Sequence, residues 1–188
     1  MRTYMIRHGK PSATWGDDDD DPGLDATGQA QAEAVAQVLI KLPEPVRPTA
    51  VVSSPLRRCR ETAEPFARLL GVELVIDPRV GEIPTPKAVS RADRGAWLRE
   101  AFAGAWSDIK GDLNYEDWRR EVAEGLASHP GAAVFSHFVA INAAATLAGG
   151  GEQVVGLRPD HCSVQVFDVV DGRLVLVARG REASTQIL

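Results

Sequence analysis

Two histidines, several arginines and a glutamate stand where short β-prone runs end. Arg7-His8-Gly9 follows Thr3–Ile6, and Ser54 to Arg58 follows Ala50-Val51-Val52. Glu82 comes shortly after Val72–Ile76, in Arg79-Val80-Gly81-Glu82, and Ser136-His137 follows Ala132–Phe135. In open α/β sheets, sites gather at the carboxyl ends of strands, so these groups can converge although they are far apart in sequence. Two strand-end histidines suit either metal ligation or phosphoryl chemistry. A catalytic zinc wants a third protein ligand, and the sequence contains neither HExxH nor a CxxC pair. Guanidinium groups repel a cation but grip a phosphate through a rigid donor fork. On charge, the phosphate reading wins.

The elements that must hold these groups alternate between strand and helix. Leu24 to Leu42 carries Ala30, Ala34, Val35, Val38 and Leu39 at helical spacing and is closed by Pro43. Arg57 to Leu70 reads as a helix stopped by Gly71. Helical pieces over Trp97–Trp106 and Tyr115–Ser128 are separated by Gly111 and Asn114, and a small-residue helix runs from Val139 to Ala148. Ser163–Val169 and Leu174–Ala178 flank Asp171-Gly172 as a hairpin. The pattern predicts a three-layer α/β/α sandwich with a mostly parallel sheet, an antiparallel edge strand and a small helical cap. Residues 1–188 are expected to form a single domain, with 84–128 as the cap or insert.

Composition bounds the class of function. At 188 residues and 20.2 kDa, folding should hide roughly 70% of the unfolded surface. Hydrophobic residues at 44% and charged residues at 25% exclude disorder as the main state. The longest nearly apolar stretch, Phe138–Gly149, is too short to span a bilayer and is interrupted by Asn142. Arg2 and Arg7 bracket too few residues for a signal peptide, and two cysteines make no disulfide framework, so a cytoplasmic location is expected. Of the 26 acids, five form the run Asp17–Asp21, and the other 21 match the 21 lysines and arginines. That balance leaves no basic excess for binding nucleic acid. The acidic run reads as a solvated loop. Oligomeric state is left open.

The strand-end residues resemble the histidine phosphatase superfamily, in its phosphoglycerate mutase-like RHG branch. Arg7-His8-Gly9 looks like its RHG signature, and Leu24, Gly28, Gln31 and Ala32 fit its L-x3-G-x2-Q-A helix start. Ser54 to Ala63 fits its S-x-L-x-R-[AC]-x-x-T-A block, and Ser136-His137 fits its second histidine. Cys162-Ser163-Val164 is similar to a late N-C-S-I element, with His161 where asparagine is common.

The resemblance implies that His8 is a nucleophile phosphorylated on a ring nitrogen. Neighbouring guanidinium groups favour its neutral form, which keeps a lone pair for in-line attack. It also implies that Arg7 and Arg58 clamp the phosphoryl oxygens, that His137 is a further phosphate ligand, and that Glu82 is the general acid and base.

Several positions depart from the family pattern. Phe138 stands where glycine, or the aspartate of the acid-phosphatase branch, is found. Ile83-Pro84-Thr85-Pro86 replaces a glycine-rich continuation, Thr14 replaces an asparagine, and Lys10-Pro11 replaces an acidic or polar pair. Lys10, Thr14 and His161 are secondary candidates for the site. Residues 84–128, rich in Trp97, Trp106 and Trp118, are expected to cover the pocket and set specificity, Cys59 and Cys162 to pack as small hydrophobes, and His129 to serve as a turn residue.

The activity so implied is a metal-independent phosphomonoesterase with no cofactor, acting on a small phosphorylated metabolite through phosphohistidine. The alternatives are mutase-type phosphoryl transfer, hydrolysis of phosphohistidine in a phosphoprotein, and a catalytically silent phosphate-binding module.

Overall fold

The computed structural model describes residues 1–13 and 19–183. Its strands are β1 (Arg2–Arg7), β2 (Ala50–Ser53), β3 (Leu74–Ile76), β4 (Ala132–Ser136), β5 (Val164–Val170) and β6 (Arg173–Ala178). Its α-helices are α1 (Ala26–Ile40), α2 (Arg57–Leu70), α3 (Arg94–Ala103), α4 (Tyr115–Ala127) and α5 (Phe138–Ala148). The sheet has six strands in the order β3-β2-β4-β1-β5-β6. The pairs β3–β2, β2–β4 and β4–β1 are parallel, while β1–β5 and β5–β6 are antiparallel. The expected antiparallel edge is therefore the hairpin β5–β6. Its turn residues Asp171 and Gly172 have φ of 50° and 75°, the left-handed pair that a tight hairpin turn demands.

Register accounts for the convergence. Arg7 of β1 lies opposite Ser136 of β4, so the next residues, His8 and His137, leave the sheet side by side. Ser53 lies opposite both Phe135 and Ile76, which brings Ser54 and Asp77 to the same end.

Side-chain alternation builds two cores. Met5, Val52 and Val134 point to one face, where α4, α5 and the segment between β3 and β4 cover them. Tyr4, Ile6, Val51, Ala133 and Phe135 point to the other, against α1 and α2. Both central strands, β1 and β4, are buried on both faces, as parallel strands between helical layers must be.

α1 starts later than its apolar spacing suggests, because the Asp25 side chain accepts from Gly28 N–H and caps it. Val38 is 60% exposed, lying off the buried stripe of Gly28, Ala32, Val35 and Leu39. The helix expected over Trp97–Trp106 ends at Ala103. Beyond it, Ala105 bridges Gln153 and Trp106 N–H donates to Glu152 O (2.9 Å), so the backbone pairs outside the helix. Among the described residues, no helix is long and apolar enough to cross a membrane.

Candidate active site

The loop after β1 is clamped onto α1 and α2 by the residues that gave the sequence its pattern. His8 N–H donates to Ser136 O (2.9 Å), Gly9 N–H to Thr62 Oγ1 (2.9 Å) and Lys10 N–H to Gln31 Oε1 (2.9 Å). A Cβ on Gly28 would lie 2.1 Å from Lys10 O, and one on Gly9 would lie 2.7 Å from Gly28 O. Only glycines permit this approach of loop to helix. Through these contacts, α1 and α2 set the position of the His8 ring.

Arg7, His8, Arg58 and His137 are all buried and meet at the β1 and β4 strand ends. The His8 and His137 ring centroids are 5.3 Å apart. His8 Nδ1 lies 2.8 Å from Gly9 O, an atom that can only accept, so the neutral ring carries its proton on Nδ1. The lone pair is then on Nε2. Burial holds this histidine well below its ordinary range, and the charges of Arg58, His137 and Arg7 add to the effect. Each guanidinium charge anticipated from sequence thus contributes less than burial does.

His137 is depressed in the same way, by burial first and then by Arg58, Arg7 and Arg94. Its Nδ1 lies 3.1 Å from Arg58 Nη2, and its Nε2 lies 2.8 Å from Ser54 Oγ. A guanidinium can only donate, so Nδ1 accepts and the ring proton sits on Nε2. The Ser54 hydroxyl can either accept from Nε2–H or turn and donate to Nε2. It therefore accommodates the opposite tautomer, in which Nδ1–H would face a bound anion.

Arg7 donates from Nη1 to Pro159 O (2.9 Å), and burial lowers its pKa to about 10, so it stays charged at neutrality. Its buried Nε has no hydrogen-bond partner among the described residues, which leaves a donor for an anion.

Glu82 Oε2 is 3.3 Å from Arg58 Nη2 and 3.5 Å from His137 Nδ1. The chain reaches it through a 3₁₀ turn, Pro78–Val80, whose Val80 O accepts from Ser136 Oγ (2.7 Å). Asp77 caps that turn, takes three hydrogen bonds from the Arg79 side chain and one from His129 Nε2 (2.8 Å), and is held well below the usual carboxylate range by them. His129 is thus more than a turn residue: it ties the end of α4 to the segment carrying Glu82.

A cavity of about 500 Å³ opens over these groups. His161 lines it, with its ring centroid 5.8 Å from that of His8 and its pKa pushed down to about 4, chiefly by burial. Lys10 stands at the rim, half exposed, with Nζ 2.8 Å from Asp25 Oδ2. Thr14 lies outside the described residues.

One expectation is refined and one corrected. Residues 84–128 do line the cavity, but Trp97, Trp106 and Trp118 are not the side chains that do so. Trp106 is buried with its ring 6.0 Å from Trp118, and Trp97 packs 5.9 Å from Tyr115, so Trp106 belongs to the core and the other two are half-buried against it. Leu98 and Phe102, on the neighbouring face of α3, reach the cavity instead. The acidic run, in its described part, is also not merely solvated. Asp20 pairs with Arg91 (2.6 Å), Asp21 accepts from Arg57 N–H (2.8 Å), and Asp19 and Asp20 line the cavity.

Sequence reading missed Arg91 and Arg94, which line the cavity from the segment between β3 and β4. It quoted Ser54 without assigning it a role. The signal for Ser54 was its place one residue beyond β2, beside Ser136 in register. Cys59 and Cys162 are free and buried, and burial pushes both thiols up, to about 12 for Cys162. Among the described residues, no group of His, Cys, Asp and Glu side chains is gathered that could hold a metal ion.

The chain is similar to several known proteins. The sequence profile of the histidine phosphatase superfamily (branch 1) matches residues 3–181. The chain is 31% identical over 186 residues to a 2,3-bisphosphoglycerate-dependent phosphoglycerate mutase of Thermoplasma acidophilum, covering 91% of this chain and 88% of that one. It is 32% identical over 134 residues to a 5''-phosphoribostamycin phosphatase of Niallia circulans, covering 66% of this chain and 62% of that one. Its fold is similar to that of a phosphoserine phosphatase of Entamoeba histolytica, solved in complex with 3-phosphoglyceric acid. The TM-score is 0.72 at 19% identity, over 96% of each chain.

Proposed function

The chain belongs to branch 1 of the histidine phosphatase superfamily, and from that premise we propose that it is a phosphomonoesterase working through a phosphohistidine on His8. The observation that carries this reading is the neutral His8 ring, with Nδ1–H spent on Gly9 O and Nε2 left as the nucleophile, among two buried guanidinium groups. Arg7 and Arg58 hold the phosphoryl oxygens through the transfer, and His137 donates to one of them. His8 Nε2 attacks phosphorus as the bond from phosphorus to the ester oxygen breaks. The Glu82 carboxyl gives its proton to the departing alkoxide. Glu82, now a carboxylate, takes a proton from water, whose oxygen attacks phosphorus. The P–N bond breaks and its electron pair returns to Nε2. Guanidinium groups supply the positive charge throughout, so a divalent metal is not required.

Residues 84–128 act as the cap of a single domain spanning 1–188, and the substrate is a small phosphorylated molecule. Transfer of the phosphoryl group to a second substrate, as in a mutase, is the alternative favoured by the Thermoplasma relative's coverage of this chain. The two readings separate in one assay. Hydrolysis predicts release of inorganic phosphate from p-nitrophenyl phosphate in excess chelator, lost to below a tenth of the rate in His8→Ala. Undiminished turnover in His8→Ala, or dependence on an added metal, overturns the proposal. Interconversion of phosphoglycerates without phosphate release favours the mutase.

A further inference from the structure

The cavity has two chemically distinct ends. At its floor stand His8 and the guanidinium groups of Arg7 and Arg58. Above them one side of the wall is apolar, where Ile83, Leu98, Phe102, Phe138 and Val139 face the same space. Phe138 is the first residue of α5, directly after His137, and its ring lies 5.5 Å from the Arg7 guanidinium carbon. Phe102 of α3 packs against it with centroids 5.4 Å apart, tilted by 40°. The two rings therefore form one continuous surface that begins at the phosphate clamp and runs up under the segment between β3 and β4.

On that upper side Arg91 pairs with Asp20 at 2.6 Å, and Arg94 Nη2 lies 3.5 Å from Ile83 O. Hydroxyls of a leaving group set against the Phe102–Phe138 face would find no hydrogen-bond partner on it, which is unfavourable. A flat apolar leaving group would cover it and gain burial area.

Resting on the phosphomonoesterase reading above, we infer that Phe102 and Phe138 form a leaving-group subsite, and that the substrate class is phosphate monoesters of aromatic or bulky apolar alcohols rather than sugar or carboxylated phosphates. The aromatic ring of such an ester stacks on or edges against the Phe102–Phe138 pair while its phosphate sits between Arg7 and Arg58.

The test compares kcat/KM for 2-phenylethyl phosphate, glycerol 1-phosphate and phosphoserine. All three are esters of primary alcohols, so differences report recognition more than leaving-group chemistry. The expected result is a preference of at least about 30-fold for 2-phenylethyl phosphate over glycerol 1-phosphate, as burial of a phenyl group warrants. In Phe102→Ala that ratio falls about tenfold. A fold defect slows both esters alike and leaves the ratio in place, so the ratio reads the subsite alone. Turnover with a ratio of one or less overturns the inference and leaves phosphatase activity standing. A preference for phosphoserine that disappears in Arg94→Gln also overturns it, because the determinant is then a charge. Failure to hydrolyse any ester, p-nitrophenyl phosphate included, overturns the underlying reading together with this one.

Discussion

Mild acid should destabilise this protein more steeply than its carboxylates alone can account for. His8, His137 and His161 are all held below their ordinary range, by burial first, His161 at about 4, so folding favours the neutral ring of each in mild acid. In the unfolded chain each takes up a proton near pH 6.5. The sign follows: stability is fully present above about pH 6.5 and is lost as pH falls toward the folded values. Each histidine contributes a slope of up to about 1.4 kcal/mol per pH unit, so the three together approach about 4 kcal/mol per unit near pH 5. Integrated from pH 7.5 to pH 5, the loss is about 6 kcal/mol, comparable with the whole stability of many domains. The carboxyls that are shifted, Asp25 and Asp77, are lowered and so act only further into acid. Urea unfolding followed by far-ultraviolet circular dichroism, in phosphate-free buffers across this range, reads the slope directly. His161→Gln should remove about one proton's share, about 1.4 kcal/mol per pH unit near pH 5. A wild-type slope of one proton or less would refute the reasoning, because it would mean that the buried rings titrate as freely when folded as when unfolded.

Glu82→Gln should slow an alkyl phosphate by on the order of 10²-fold or more, and an activated aryl ester much less, because only a poor leaving group needs the proton. Phosphoenzyme should build up with the aryl ester; equal slowing of both esters without build-up would make Glu82 a positioning residue. Gly28→Ala places a methyl group 2.1 Å from the Lys10 carbonyl oxygen, where backbone meets backbone. Thermal melting should show a loss of about 1–3 kcal/mol, with kcat/KM down on the order of 10²-fold as His8 shifts; unchanged kinetics would contradict the clamp.

The floor of the cavity was legible because it depends on where apolar runs stop. A parallel sheet aligns the carboxyl ends of its strands, so Arg7-His8, Ser54, Glu82 and Ser136-His137 were bound to meet once those ends were located. The glycine and glutamine of α1 were visible as a pattern, but their purpose, the approach of Gly28 to Lys10 and the Gln31 contact, emerges only in three dimensions. The cavity wall was not legible. α3 buries Leu98 and Ala101 and turns Phe102 to the cavity, while Trp97, one residue before Leu98, packs on Tyr115. A short helix whose apolar residues are not gathered on one side does not announce which of them face a cavity and which face a core. The partners of His129 and of the Asp19–Asp21 stretch come from distant elements, Asp77, Arg91 and Arg57 among them, and no local spacing encodes them.

The claim on which the account depends is that a covalent phosphoryl group passes through His8 Nε2. Rapid quenching of the protein with labelled p-nitrophenyl phosphate, followed by peptide mapping, tests it directly. The account predicts an acid-labile, alkali-stable phosphoramidate on the peptide containing His8, formed faster than steady-state turnover and absent in His8→Ala. Turnover with no phosphoenzyme at any quench time, or label on His137, His161 or a cysteine instead, would contradict it.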